Sequence, residues 1–109
     1  MHSDPKLTAR VEAATKCWRG LAPKKMFGGM AWLLHGNMCV GIWHDSLVVR
    51  CDPADWAVHL KKPHFREMDI TGRSMKGWLL VDAPAIATPA RLTGWLETAR
   101  AFVATLPRK

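Results

Sequence analysis

Five histidines and three cysteines are the first residues here whose types could do chemistry, because imidazole and thiolate are the usual ligands of zinc and related metals. Their spacing works against it. His35 and Cys39 stand four apart but flank a turn, and a two-residue loop at Gly36-Asn37 sends them to opposite faces of a hairpin. Cys39 and Cys51 diverge in the same way. No three ligands converge, and neither H-E-x-x-H nor C-x-x-C occurs, so no metal and no cofactor is expected. His2 belongs to a polar tail, and His59 and His64 border a short helix, positions that suit solvated histidines. Cys17, Cys39 and Cys51 read as small apolar fillers in a reducing compartment.

Nucleophilic catalysis needs a nucleophile, a base and an orienting group. The serines are Ser3 in the tail and Ser46 and Ser74 in or beside turns, none within G-x-S-x-G. Glu67 and Asp69 alternate along an exposed strand, where carboxylates serve solubility. The expectation is a protein that is not an enzyme. "KKMFGGMAW" at 24–32 sets lysines before a glycine pair, whereas a phosphate-binding P-loop places Gly-Lys-Ser/Thr after its glycines and before a helix. Gly28 and Gly29 therefore read as a strand that bends, bulges or accepts close packing. Arg19, Lys24 and Lys25 form one basic cluster and Lys61 and Lys62 another, with His64 and Arg66 nearby. With tryptophans to stack on bases, these are the nucleic-acid candidates.

The elements that must position these residues are legible from caps and periodicity. A chain of 109 residues, 49% apolar, with a net charge of +7 and a pI near 9.9, is expected to form a single domain over 1–109. The polar start "MHSDPK" lacks a signal-peptide core, so a cytoplasmic location is expected, and no apolar stretch reaches membrane-spanning length. Asp4-Pro5, Asp52-Pro53 and Thr88-Pro89 each pair an N-cap with proline at the first helical position. The helices that follow carry Leu7, Val11, Ala14 and Trp18, then Trp56 and Leu60, then Leu92, Trp95, Leu96, Ala99, Phe102, Val103 and Leu106. "LAPKK" reads as a connector. Strands fall at roughly 26–35, 38–44 and 47–51, with loops at Gly36-Asn37 and Asp45-Ser46, and a second hairpin spans 65–81 around Gly72-Arg73. The order α-β-β-β-α-β-β-α predicts an α+β fold, a two-layer antiparallel sheet with helices.

The wording of these elements resembles the TfoX/Sxy family, specifically its N-terminal domain. The matching stretches are "KKMFGGMAWLLHGNMCVGI" at 24–42, "LVVRCDPAD" at 47–55, "MDITGRSMKGWLLVD" at 68–82 and the closing helix ending "LPRK". The resemblance implies a secretion-chaperone-like fold. It also implies a bacterial regulatory role, since full-length members regulate natural competence with a cyclic-AMP-responsive transcription factor and carry a further C-terminal domain. This chain is expected to be the stand-alone first domain.

Hairpin arithmetic adds an expectation of its own. With Gly36-Asn37 as the loop, Leu33 opposes Val40 and Ala31 opposes Ile42. One face then holds Phe27, Ala31, Leu33, Val40, Ile42, Leu47, Val49 and Cys51. The other holds Met26, Met30, Trp32, Leu34, Cys39, Trp43 and Val48. Helices of a two-layer fold cover one face, so Met26, Met30, Trp32 and Trp43 are the candidates for contact with a partner, either a second copy in a homodimer or a protein of the transcription machinery. In the second hairpin Asp69 is set opposite Lys76. The reading that results is a non-enzymatic regulatory or protein-interaction module, with a nucleic-acid-binding accessory protein as the alternative.

Overall fold

A computed structural model describes residues 4–26, 29–68 and 76–108. Its three α-helices begin as their caps dictate. Helix α1 (Pro5–Thr15) is capped by Asp4, whose Oδ1 accepts from the Lys6 N–H at 2.9 Å. Helix α2 (Pro53–Leu60) repeats the device with Asp52 and the Ala54 N–H at 2.9 Å. Helix α3 (Pro89–Val103) uses Thr88 Oγ1 and the Arg91 N–H at 3.2 Å. In each, proline at the first position gives up an N–H that had no intrahelical partner. Helix α1 stops at Thr15, before Trp18. The Trp18 ring leaves the helical stripe and lies 4.7 Å from the Arg100 guanidinium.

The sheet has six antiparallel strands in the order β1-β2-β3-β4-β6-β5. They are β1 (Leu21–Met26), β2 (Gly29–Leu34), β3 (Asn37–Trp43), β4 (Ser46–Arg50), β5 (Phe65–Glu67) and β6 (Trp78–Val81), with a 3₁₀ turn over Ala83–Ile86. The α+β order is the expected one with a strand added in front. The segment read as a connector, "LAPKK", pairs with β2 along its whole length, Pro23 opposite Trp32. Proline is tolerated there because β1 is an edge strand, with only one side of its backbone in the ladder.

Both turns of the first meander lie one residue before their expected places. The β2–β3 loop is His35-Gly36, at φ +51 and +87, and Leu34 pairs with Asn37. Asn37 is held as a strand residue because its buried amide donates to the Pro107 carbonyl at 2.8 Å, tying the end of the chain to the sheet. The β3–β4 loop is His44-Asp45, since Trp43 pairs with Ser46. Strand β3 also bulges: Leu33 pairs with Met38 but Trp32 with Val40, leaving Cys39 as the extra residue.

The shift and the bulge together move Trp32 opposite Val40 and Met30 opposite Ile42. Side chains alternate with period two, so the β2 set changes sides. Trp32, Leu34, Cys39, Val40, Ile42, Leu47, Val49, Cys51, Leu79 and Val81 share the face covered by the helices, packed on Leu7 and Val11 of α1 and Leu92, Leu96, Ala99 and Val103 of α3. Ala31, Met38, Val48, Met68 and Leu80 form a second buried cluster on the opposite face, rimmed by half-buried Leu33, Trp43 and Trp78. Both faces are apolar, as the composition of the strands requires. The assignment of β2 and Cys39 to faces is corrected.

Gly29 explains half of the glycine pair. A Cβ there would run into the Ile42 carbonyl oxygen, so the close packing is with the β3 backbone. In the second hairpin, Glu67 pairs with Leu79, one residue beyond the Trp78 that a Gly72-Arg73 loop would give. His2, Ser3, Phe27, Gly28, Asp69, Gly72, Arg73 and Ser74 lie outside the described residues.

Candidate interaction surfaces

The four residues expected to meet a partner do not share a face. Trp32 is 3% exposed and belongs to the helix-side core, so it presents no surface. Met30 is half-buried against the same core, and Met26 ends β1 with its side chain outside the described ones. Of the candidates whose side chains are described, Trp43 alone is on the helix-free face. It is half-buried, its ring edge-on to His44 at 4.3 Å. The structure gives it different neighbours from those expected, Leu33 and Trp78. Arg50 completes this rim: its guanidinium lies 5.0 Å from the Trp78 ring and donates to the Met38 carbonyl at 3.3 Å. Burial lowers the Arg50 pKa. What this face presents is the rim itself, aromatic and guanidinium groups around a centre already buried, and those groups are enriched in protein-contact patches.

The two basic clusters fall at opposite edges of the sheet. Lys24 and Lys25 are exposed on β1, opposite Ala31 and Met30, so alternation directs them to opposite sides. Arg19 is exposed just before that strand. Lys61 caps the C-terminus of α2, and Lys62 follows it toward β5, the other edge strand. Five strand spacings of ~4.8 Å separate the two edges by roughly 24 Å, so the clusters are not one continuous basic stripe. Instead, folding brings Lys62 and His64 together with Arg91 of α3 around a cleft of about 510 Å³. Arg91 lies 27 positions or more from either residue, and no local pattern in the sequence joins them.

Of the described groups that could do covalent chemistry, Ser46 is occupied and Cys39 and Cys51 are shielded. Ser46 is buried and donates to Asp82 Oδ1 at 2.8 Å. Arg66 joins them, its Nε and Nη2 reaching the Asp82 carboxylate at 3.0 and 2.8 Å. Hydrogen bonds from Arg66, then Ser46, hold the Asp82 carboxyl below its ordinary value. This cluster ties the start of β4 to β5 and the end of β6. Burial pushes the Cys39 thiol up to about 12 and the Cys51 thiol up to about 11, the neutral form of a packing residue, while Cys17 is exposed. His59 packs edge-on to Trp95 at 5.1 Å with its Nδ1 buried and unpartnered, and burial followed by Lys62 lowers its pKa. Among the described residues, no three of His, Cys, Asp and Glu gather as a metal site would need. Nor, among them, is any helix long and apolar enough to cross a membrane.

A family model, the TfoX N-terminal domain, matches residues 13–103, from the second half of α1 to the last residue of α3. No curated protein and no solved structure matches the chain.

Proposed function

This chain belongs to the TfoX N-terminal domain family, and from that premise we propose that it is a non-enzymatic regulatory module of the bacterial cytoplasm that works by binding protein. The observation that carries this reading is the helix-free sheet face. Leu33, Trp43 and Trp78 are half-buried around the Ala31, Met38, Val48, Met68 and Leu80 cluster, and no described helix packs there. Half-buried tryptophans need little further ordering to be desolvated by a partner, which is why such residues dominate binding energy elsewhere. The partner is either a second copy, giving a homodimer, or a protein of the transcription machinery.

Two measurements test the reading together. Sedimentation at tens of micromolar reads self-association, and capture from a nuclease-treated native lysate reads other proteins. The expected result is a specific complex in one of them that a Leu33→Asp, Trp43→Ala variant loses while, below its own melting transition, it keeps the far-ultraviolet circular dichroism spectrum of the parent. A complex indifferent to those changes overturns the surface assignment. Capture that vanishes with nuclease transfers the function to the nucleic-acid alternative, with Arg19, Lys24, Lys25, Lys61 and Lys62 as the residues to reverse.

A further inference from the structure

We infer that the cleft between the α2–β5 turn, the 3₁₀ turn and α3 is a binding site for a nucleotide-type ligand, a phosphate monoester carrying a flat apolar ring. Its rim is cationic. Lys62, His64 and Arg91 line it, and none of its described lining residues is acidic. Neither Lys62 nor Arg91 has a carboxylate partner among the described residues. The neighbouring carboxylate, Asp82, is already taken by Arg66 and Ser46. Arg91 is held in place by donating Nη1 to the Pro84 carbonyl at 3.4 Å, which leaves the rest of its fork unpaired. Two cations without carboxylate partners and a histidine exceed the need of one carboxylate and match a dianionic phosphate.

The wall of the cleft is apolar and aromatic. Phe65 and Trp95 meet edge-to-face with ring centroids 4.7 Å apart, and Pro84 and Ala85 continue the surface. A volume of about 510 Å³ falls within the ~300–1,000 Å³ usual for small-molecule sites.

The backbone supplies an independent sign. The Phe65 N–H donates to the Lys62 carbonyl at 3.3 Å, closing a four-residue turn with Pro63 second and His64 third, at φ +69. A turn with proline second and a left-handed third residue ordinarily takes glycine at the third position. The other left-handed histidines, His35 and His44, serve the hairpin loops. His64 serves no hairpin, and the imidazole kept there lines the cleft.

The site is tested by ¹H–¹⁵N NMR titration of the full chain with adenosine monophosphate, adenosine, inorganic phosphate and a 5′-phosphorylated oligothymidylate. Adenosine monophosphate is expected to shift the Trp95 indole and the Lys62, His64 and Arg91 amides saturably, with adenosine and phosphate each at least ~10-fold weaker. Lys62→Glu and Arg91→Glu, both at exposed positions, should weaken binding ~10-fold or more with the fold intact. His64→Gly should melt higher, because glycine suits the turn, and yet bind more weakly. Tighter binding of the oligonucleotide at the same residues makes a strand terminus the source of the nucleotide, and tighter binding of the mononucleotide makes it a free metabolite; either supports the site. Phosphate binding as tightly as the nucleotide, no saturable shift at Trp95, or unchanged affinity in Arg91→Glu overturns it.

Discussion

Replacing Trp32 by alanine tests the arrangement on which every surface assignment depends. Trp32 is 3% exposed, and a tryptophan buries ~150–250 Å², worth about 4–6 kcal/mol at ~25 cal/mol per Å². Alanine retains part of that area, so a loss of about 3–5 kcal/mol is expected, in line with large-to-small changes in cores. Trp43→Ala, at a half-buried site on the other face, should cost about 1–2 kcal/mol. Urea denaturation followed by far-ultraviolet circular dichroism measures both. A double-mutant cycle then reads the register directly. Trp32 and Val40 are cross-strand partners, so Trp32→Leu with Val40→Ala should depart from additivity by ~0.5 kcal/mol or more. Leu33 and Val40 point to opposite faces, so Leu33→Ala with Val40→Ala should add within ~0.3–0.5 kcal/mol. If Trp43→Ala costs more than Trp32→Ala, or the coupling belongs to Leu33 and Val40, then Gly36-Asn37 is the loop and the faces are reversed.

Asp82→Asn should lower stability at neutral pH by no more than about 1 kcal/mol, because the Arg66 partner is half exposed and solvent screens the pair. The folded carboxyl is held below its ordinary value, so its contribution is present above the unfolded pKa of ~3.9 and disappears as pH falls through the folded one; melting curves of parent and variant should converge in acid. In a thiol-labelling assay at mildly alkaline pH, Cys17 should react at once, and Cys39 and Cys51 only when the chain unfolds; rapid labelling of all three would contradict the buried, neutral thiols. Gly29→Ala should cost at least ~2 kcal/mol through the collision with Ile42, whereas Gly94→Ala, exposed in α3 with nothing within 4 Å of a new Cβ, should stabilise by up to ~1 kcal/mol; equal effects in a denaturant titration would refute the close approach.

The parts of the fold whose causes are local could be read from the residues alone. An acceptor side chain followed by proline sets a helix start wherever it occurs, and Asp4, Asp52 and Thr88 each cap the helix expected of them. The stripe of Leu92, Leu96, Ala99 and Val103 is buried because a period of 3.6 permits little else. Two apolar sheet faces were likewise legible, since the strands hardly alternate. The rest depends on partners distant in sequence. Pro23, Lys24 and Lys25 form a strand because β2 offers them a ladder and the edge forgives the proline. Histidine accepts a left-handed turn less readily than glycine or asparagine, so Gly36-Asn37 was the better loop by propensity. Asn37 was drawn into the strand by Pro107, seventy residues away, and Cys39 was left over as a bulge. Those two events turned Met30 and Trp32 inward and left Trp43 outside. The Lys62, His64 and Arg91 rim arises the same way: α3 must lay its apolar stripe on β3 and β4, and that packing carries its first turn to the end of α2.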